Sequence, residues 1–244
     1  MGLFHTFAVF AAGRTYDQIR NSVAYPGLNV KIIGSHAGLT VGEDGASHQC
    51  IEDISLMRTI PKMTVIVPCD SHETRLATKA VLEYEGPCYL RTGRCALDCV
   101  TDNFENYKFE IGKGVQLVDG TDVTIIACGL MVQESLKAEK ILEEEGINAR
   151  VIDMHTIKPI DRDIIIKAAK ETGAIVTAEE HNVIGGLGGS VSEVIVGTEP
   201  VPIEFIGVED KFGHSGAPKE LLESFGLTPE HIAAAAKQAI QRKK

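Results

Sequence analysis

The second half of this chain alternates uninterrupted apolar runs with amphipathic ones, and that alternation restricts the fold more than any other feature. "DVTIIA", "ARVIDM", "AIVTA" and "IEFIGV" are too short for helices and rich in β-branched residues, so they read as strands. Between them lie "MVQESLKAEKILEEEG", "DRDIIIKAAKETG" and a glycine-flanked helix near "GGSVSEVIV". Strands that are apolar on both faces need cover on both faces, which predicts a doubly wound α/β domain with a mostly parallel sheet. The last helix is expected to begin with Thr228 as N-cap and Pro229 at its first position. Ile232, Ala236, Ala239 and Ile240 then share one stripe.

The first half follows the same logic. "RTYDQIRNSVAY" reads as a helix stopped by Pro26 and Gly27, and "NVKIIG" as a strand. A helix is predicted over "SHQCIEDISLMRTI", ended by Pro61, followed by a buried strand "MTVIVP". "DSHETRLATKAVLEYEG" places Asp70 and Glu73 at capping-box spacing with Gly86 as a stop, and "CYLRT" is a further strand. Residues 100–113 are polar, turn-rich and without helical period, which marks a boundary. The division is 1–105 and 106–244: two α/β domains, the second doubly wound and the first looking like most of another. No internal repeat is visible.

Composition narrows the function. A net charge of -10, with no Lys/Arg cluster beyond the terminal "RKK", argues against a nucleic-acid partner. No run is long and apolar enough to span a bilayer. The opening "MGLFHTFAVFAAG" lacks a basic leader region and reads as folded protein. Six cysteines all fall within the first 128 residues. Cys95 and Cys99 have no second pair at zinc spacing, so the thiols read as reduced and packed in a cytoplasmic protein.

The stretch "SHAGLTVGEDGASHQ" gathers His36, Asp44 and His48 among three glycines. Glycine lets backbone approach a ligand closely, imidazoles move protons near neutral pH, and a carboxylate accepts from hydroxyls. His48 is expected in the first turn of the following helix, where an anion would gain roughly 0.3–1 kcal/mol from the helix end. The same residues also suit a surface turn with solvated histidines, and the His spacing is no recognised metal pattern. "YLRTGR" sets Arg91 and Arg94 at a strand's carboxyl end, where ligands of open α/β sheets gather; they could bind phosphate or simply be solvated. Phe7 and Phe10 could wall a pocket for an aromatic ring or pack in the core. The Gly-rich turn of "EEHNVIGGLGGS" lacks the dinucleotide register and reads as structural, as do His181 and His214.

Taken together, "TFAVFAAGRTYDQIR", "GEDGASHQCIEDISLMRTIPKMTVIVPCD" and "LRTGR" follow one another at the spacing of transketolases. The chain resembles the C-terminal part of that thiamine-diphosphate family over nearly its whole length, and "AEEHNVIGGLGGSVSE" and "KFGHSGAPKELLESFG" resemble the family's C-terminal domain. The "GEDG-x-x-HQ-x-x-E" element favours transketolases over deoxyxylulose-phosphate synthases and 2-oxo-acid dehydrogenase β subunits. The resemblance implies an incomplete pyrimidine-binding domain at 1–105 and a transketolase C-terminal domain at 106–244. It implies that Phe7 and Phe10 hold the aminopyrimidine, Asp44 reads a donor hydroxyl, His48 lines the reacting positions, and His36 and Arg94 hold a sugar phosphate, with Arg91 a less close match. The implied reaction is reversible transfer of a two-carbon ketol unit within pentose phosphate metabolism, the cofactor carrying the electron sink.

The family's diphosphate and Mg²⁺ element, "GDG…N", has no counterpart in this sequence, nor does the glutamate that protonates the aminopyrimidine. The resemblance implies that the first strands of the pyrimidine domain are missing as well. The resemblance therefore implies a C-terminal subunit that works with an N-terminal partner holding Mg²⁺, and that forms homodimers through both domains. The rival expectations are a deoxyxylulose-phosphate synthase-like enzyme, or a shortened, non-catalytic dimerisation or scaffold copy.

Overall fold

A computed structural model describes residues 1–105 and 107–243. Residue 106, the expected start of the second domain, and the last lysine of "RKK" lie outside the described residues. Two five-stranded sheets are formed. The first contains β1 (Gly2–Phe7), β2 (Val30–Ser35), β3 (Thr64–Ile66) and β4 (Cys88–Arg91), and is completed by β8 (Thr156–Lys158) in the order β1-β2-β4-β3-β8. The second holds β5 (Val115–Val118), β6 (Val123–Ala127), β7 (Ala149–Asp153), β9 (Ile175–Asn182) and β10 (Ile203–Val208) in the order β10-β9-β6-β7-β5. All pairings are parallel except β3 with β8 and β5 with β7. The fold is thus α/β with mostly parallel sheets, as the apolar strands required.

The two halves are not separate in the way the sequence suggests. β8 comes from the second half and pairs antiparallel with β3 of the first. Val67 N–H donates to the His155 carbonyl at 2.8 Å, and Gly129 N–H to the Val67 carbonyl at 3.2 Å, so backbone bonds continue across the junction. One apolar cluster joins Ile54, Met57 and Val65 of the first half to Ile126, Ile152 and Ile165 of the second. At roughly 1.5–3 kcal/mol for each fully buried large side chain, such a seam resists being pulled apart.

The helices explain themselves locally. The segment 10–24 is helical but wide-turned, with α1 (Tyr16–Gln18) between two π-type stretches, and Thr15 Oγ1 bonds back to the Ala11 carbonyl at 2.6 Å. α2 (Asp53–Thr59) is shorter than predicted. Residues 47–52 direct their hydrogen bonds outward instead: the Cys50 carbonyl accepts from Gly38 N–H and from Arg91 Nη2. His48 therefore lies in a turn before the helix, which corrects its expected place in a helical first turn. α3 (Ser71–Glu83) has the predicted cap, Asp70 Oδ1 accepting from Glu73 N–H at 2.8 Å, while Glu73 reaches Cys69 N–H at 2.6 Å. In the second half, α4 (Met131–Glu144), α5 (Arg162–Thr172), α6 (Leu187–Val196), α7 (Pro218–Ser224) and α8 (Pro229–Gln241) cover the sheet. α8 starts after Thr228 with Pro229 first, and buries Ile232, Ala236 and Ala239. No described helix is long and apolar enough to cross a membrane.

Just before β8, His155 is fully buried against the Phe109 ring at 4.2 Å, and its Nε2 has no partner among the described residues. Burial pushes its pKa from 6.5 down to about 3. The folded state keeps this imidazole neutral where the unfolded chain would protonate it. The stability it contributes above pH 6.5 is therefore lost as pH falls toward about 3, at about 1.4 kcal/mol per pH unit. His155→Gln is expected to flatten the fall of thermal midpoint over that range. Equal slopes for the variant and the parent chain would contradict this origin.

Candidate active site

Parallel strands end on one side of the sheet, and the candidate residues collect there. Phe7 closes β1 opposite Ser35 of β2, and His36 follows immediately with φ 56, an unusual left-handed conformation for a residue with a side chain. That backbone turn lays the His36 imidazole flat on the Phe7 ring, 4.0 Å between centroids with planes 8° apart. Phe10, at the start of the helical segment, is also parallel to Phe7, at 6.0 Å and 8°. His48 meets both phenyl rings edge-on, at 6.3 Å from Phe7 and 5.5 Å from Phe10. Offset-parallel and edge-to-face rings are the arrangements the aromatic quadrupole favours. Arg14 places its guanidinium carbon 4.3 Å from the Phe10 centroid.

Both imidazoles have a hydroxyl at Nδ1: Ser35 Oγ lies 3.1 Å from His36, and Ser47 Oγ 3.0 Å from His48. Asp44 is exposed at the end of a tight 3₁₀ stretch, Leu39–Asp44. Burial first and then Arg94 hold the His36 pKa below its ordinary value, with Asp44 acting the other way, so the three residues share one field. Arg94 donates through Nη1 to the Val41 carbonyl and lies 3.3 Å from Glu43, with 43% of its side chain exposed. Phe7, Phe10, His36, Asp44, His48 and Arg94 thus all border the loop or the ring cluster.

Arg91 does not join them. Its side chain turns inward, where Nε lies 3.1 and 2.9 Å from the carboxylate oxygens of Asp53, and Nη2 donates to the carbonyls of Cys50 at 3.2 Å and Glu180 at 2.9 Å. Tyr89 adds a hydrogen bond to Asp53 at 2.7 Å. Assignment of Arg91 to substrate is therefore corrected: it is a buried tie between segments, and three residues further on Arg94 is left outside.

Several residues that position the loop do not stand out in the sequence. Gln49 donates through Nε2 to the carbonyls of Leu39 at 3.0 Å and His214 at 2.9 Å, joining both ends of the loop to the second half. Glu180 accepts from Thr40 N–H at 2.6 Å. Gly38, at φ +85, sits so close that a Cβ would fall 2.3 Å from the Glu180 carboxyl carbon, so this glycine is required by both conformation and contact. Gln49 lies inside "GEDGASHQ", so its signal is present in the motif, although nothing local marks it as the residue that ties the loop down.

The Gly-rich turn has its own answer. Glu179 accepts from Leu187 N–H at 2.7 Å and Gly188 N–H at 2.8 Å, so the amino end of α6 is neutralised by the chain's own carboxylate. His181 is buried, with Nδ1 2.6 Å from the Asn182 carbonyl and Nε2 accepting from Ser55 N–H at 3.3 Å. Among the described residues one set lies within metal-ligating range, Cys69, Glu73 and Asp153, buried away from the rings. The Tyr107 hydroxyl already bonds to both carboxylates there.

The mostly parallel amino-terminal sheet thus carries an aromatic and histidine platform at its strand ends. The transketolase pyrimidine binding domain matches residues 3–98, and the transketolase C-terminal domain matches residues 112–232. The chain is 45% identical to a 6-deoxy-6-sulfo-D-fructose transketolase subunit of Clostridium sp., over 98% of this chain and 74% of that one. It is 41% identical to one subunit of the apulose-4-phosphate transketolase of Phocaeicola vulgatus, over 96% and 75%. A solved split gene transketolase, described as an inactive β4 tetramer, superposes with a TM-score of 0.93 at 50% identity, over 99% of this chain and 77% of that one. The chain belongs to the transketolase family, a family of thiamine-diphosphate-dependent transferases.

The two arginines separate experimentally. Arg91→Met leaves the Asp53 carboxylate buried without its partner and is expected to cost about 3–5 kcal/mol in denaturant unfolding. Arg94→Met, at a half-exposed position, is expected to change stability by less than about 1 kcal/mol. Comparable losses for both would contradict the inward role given to Arg91.

Proposed function

We propose that this chain is the C-terminal subunit of a transketolase, moving a two-carbon ketol unit from a ketose phosphate to an aldose phosphate together with an N-terminal partner subunit. The observation that carries this reading is the ring cluster of Phe7, Phe10, His36 and His48, with Asp44 and Arg94 on the adjoining loop. The residues fit one half of thiamine diphosphate. Two near-parallel phenyl rings offer flat apolar faces for an aminopyrimidine. Among the described residues the one set within metal-ligating range is Cys69, Glu73 and Asp153, already bonded to Tyr107, so Mg²⁺ and the diphosphate are assigned to the partner. When bound, the cofactor supplies the electron sink for cleavage and re-formation of the carbon–carbon bond.

This chain's own side chains orient the substrate and move protons. Phe7 and Phe10 hold the ring, and His36, stacked on Phe7, keeps that platform rigid. Asp44 accepts from a donor hydroxyl, while Arg94 and His36 hold the terminal anion of the sugar. His48, with Nδ1 set by Ser47 and Nε2 without a partner among the described residues, is placed to give or take a proton at the reacting oxygen. The relatives named for sulfo-fructose and apulose phosphate support a substrate class defined by a ketose with an anionic end. The solved relative described as an inactive tetramer supports a requirement for the partner, and the proposed assembly is a dimer of such pairs. Because the chain spans about three quarters of its relatives, the test uses the reconstituted complex.

With the N-terminal subunit, thiamine diphosphate and Mg²⁺, His48→Ala is expected to lower kcat for ketol transfer by about 10²–10⁴-fold with the complex still assembled. Phe7→Ala is expected to raise the cofactor concentration needed for half-maximal rate. A His48→Ala complex with unchanged rate would remove the role given to it, and a reconstituted complex that transfers no ketol unit would leave the scaffold reading in its place.

A further inference from the structure

We propose that the cleft between the two halves is a second binding site, for a neutral polyhydroxylated small molecule such as a free sugar or polyol. The cleft has a volume of about 400 Å³, within the roughly 300–1,000 Å³ of small-molecule sites. Leu97 of the first half forms one wall, and Leu130, Lys137, Lys219 and Leu222 of the second form others. None of the residues proposed for ketol transfer lines it. Inward, past Thr40, Cys95, Leu97 and Leu130, it continues into a throat of about 30 Å³ whose walls include Arg91 and Glu180. That volume is room for about one water or one hydroxyl.

The throat specifies the ligand's chemistry. Arg91 and Glu180 are 5% and 4% exposed, and both are fixed by other bonds. The hydrogen bonds of Arg91 run from Nε and Nη2, leaving Nη1 without a partner among the described residues. A fixed cationic donor beside a fixed carboxylate matches a hydroxyl, which accepts from one and donates to the other. An anionic group would meet the Glu180 charge, and an ammonium that of Arg91. Outside the throat, Lys137 is already paired with Glu134 at 2.7 Å, and Lys219 shares the wall with Glu223 and Glu230. No cationic surplus remains for a phosphate, unlike the neighbourhood of Arg94. Leucines supply faces for C–H surface, and the charged rim offers partners for further hydroxyls.

The placement also connects the cleft to the candidate active site. Thr40 takes part in the throat while the next residue, Val41, accepts from Arg94. Cys95 lines the cleft directly after Arg94. A bound polyol would thus brace the loop that carries Asp44.

Xylitol is a suitable probe because it has no carbonyl and is neither donor nor acceptor in ketol transfer, so the result is independent of the proposed reaction. Calorimetric titration of the full chain should show saturable xylitol binding. Leu97→Trp, which fills the cleft, should weaken it at least tenfold, whereas His48→Ala should leave it unchanged. Lys219→Trp, at an exposed position over the mouth, provides a second obstruction should Leu97→Trp fail to give native circular dichroism. Absence of saturable binding, or binding that neither obstruction weakens, overturns the proposal. So does loss on His48→Ala alone, which would move the polyol to the ring cluster, and so does competition by inorganic phosphate, which would overturn the neutral class.

Discussion

The buried pair between Arg91 and Asp53 is the constraint on which the site geometry rests. Asp53 opens α2, Arg91 closes β4, and the guanidinium also holds the carbonyls of Cys50 and Glu180. One side chain therefore fixes the helix after the glycine loop, the strand beneath it and a strand of the other sheet. A buried ion pair is no assurance of net stability, because desolvation opposes the Coulomb gain. Its effect here is geometric: the donors and acceptors around it can be satisfied together only when both halves are docked.

The loop that carries Asp44 and His48 is held by the same seam. Glu180 contributes its carbonyl to Arg91 and its carboxylate to the Thr40 amide, and Gln49 spans from Leu39 to His214. The first half supplies the candidate site side chains, and the second half sets the loop's position through Glu180 and His214. This division explains why the loop is rich in glycines. Their small size lets carboxylate and amide groups of the second half approach the backbone directly.

Legibility in the sequence followed the range of the interaction. β6, β7 and β9, the α3 cap at Asp70 and the start of α8 at Pro229 are local events, decided by apolar period, by a side chain reaching its own backbone or by the fixed φ of proline. β8 is only three residues long and is a strand because of β3, so no local pattern announces it. The predicted helix over residues 47–60 begins late for the same reason: bonds to Gly38, Arg91 and His214 outcompete its first turns. Phe7, Phe10, His36 and His48 are legible as residues, but their stacking depends on β1–β2 register and on the left-handed turn at His36. Arg91 and Arg94 look equivalent in "LRTGR". Only the ladder separates them, since Arg91 is still paired opposite Gly34 and Arg94 lies past the strand's end.

The borrowed strand β8 has a consequence for how the chain acquires its shape during synthesis. Val65 pairs with Tyr89 of β4 on one side, but its outer edge is covered only by Lys158, and the apolar seam beneath it is closed by Ile152, Ile157 and Ile165. A ribosome that has released only the first half has exposed β3 as an open edge, with its hydrophobic underside still wet. Edges of that kind invite pairing with other nascent chains. The first sheet therefore cannot be completed until residues 156–158 have been synthesised, and that interval is where chaperone assistance or aggregation would enter.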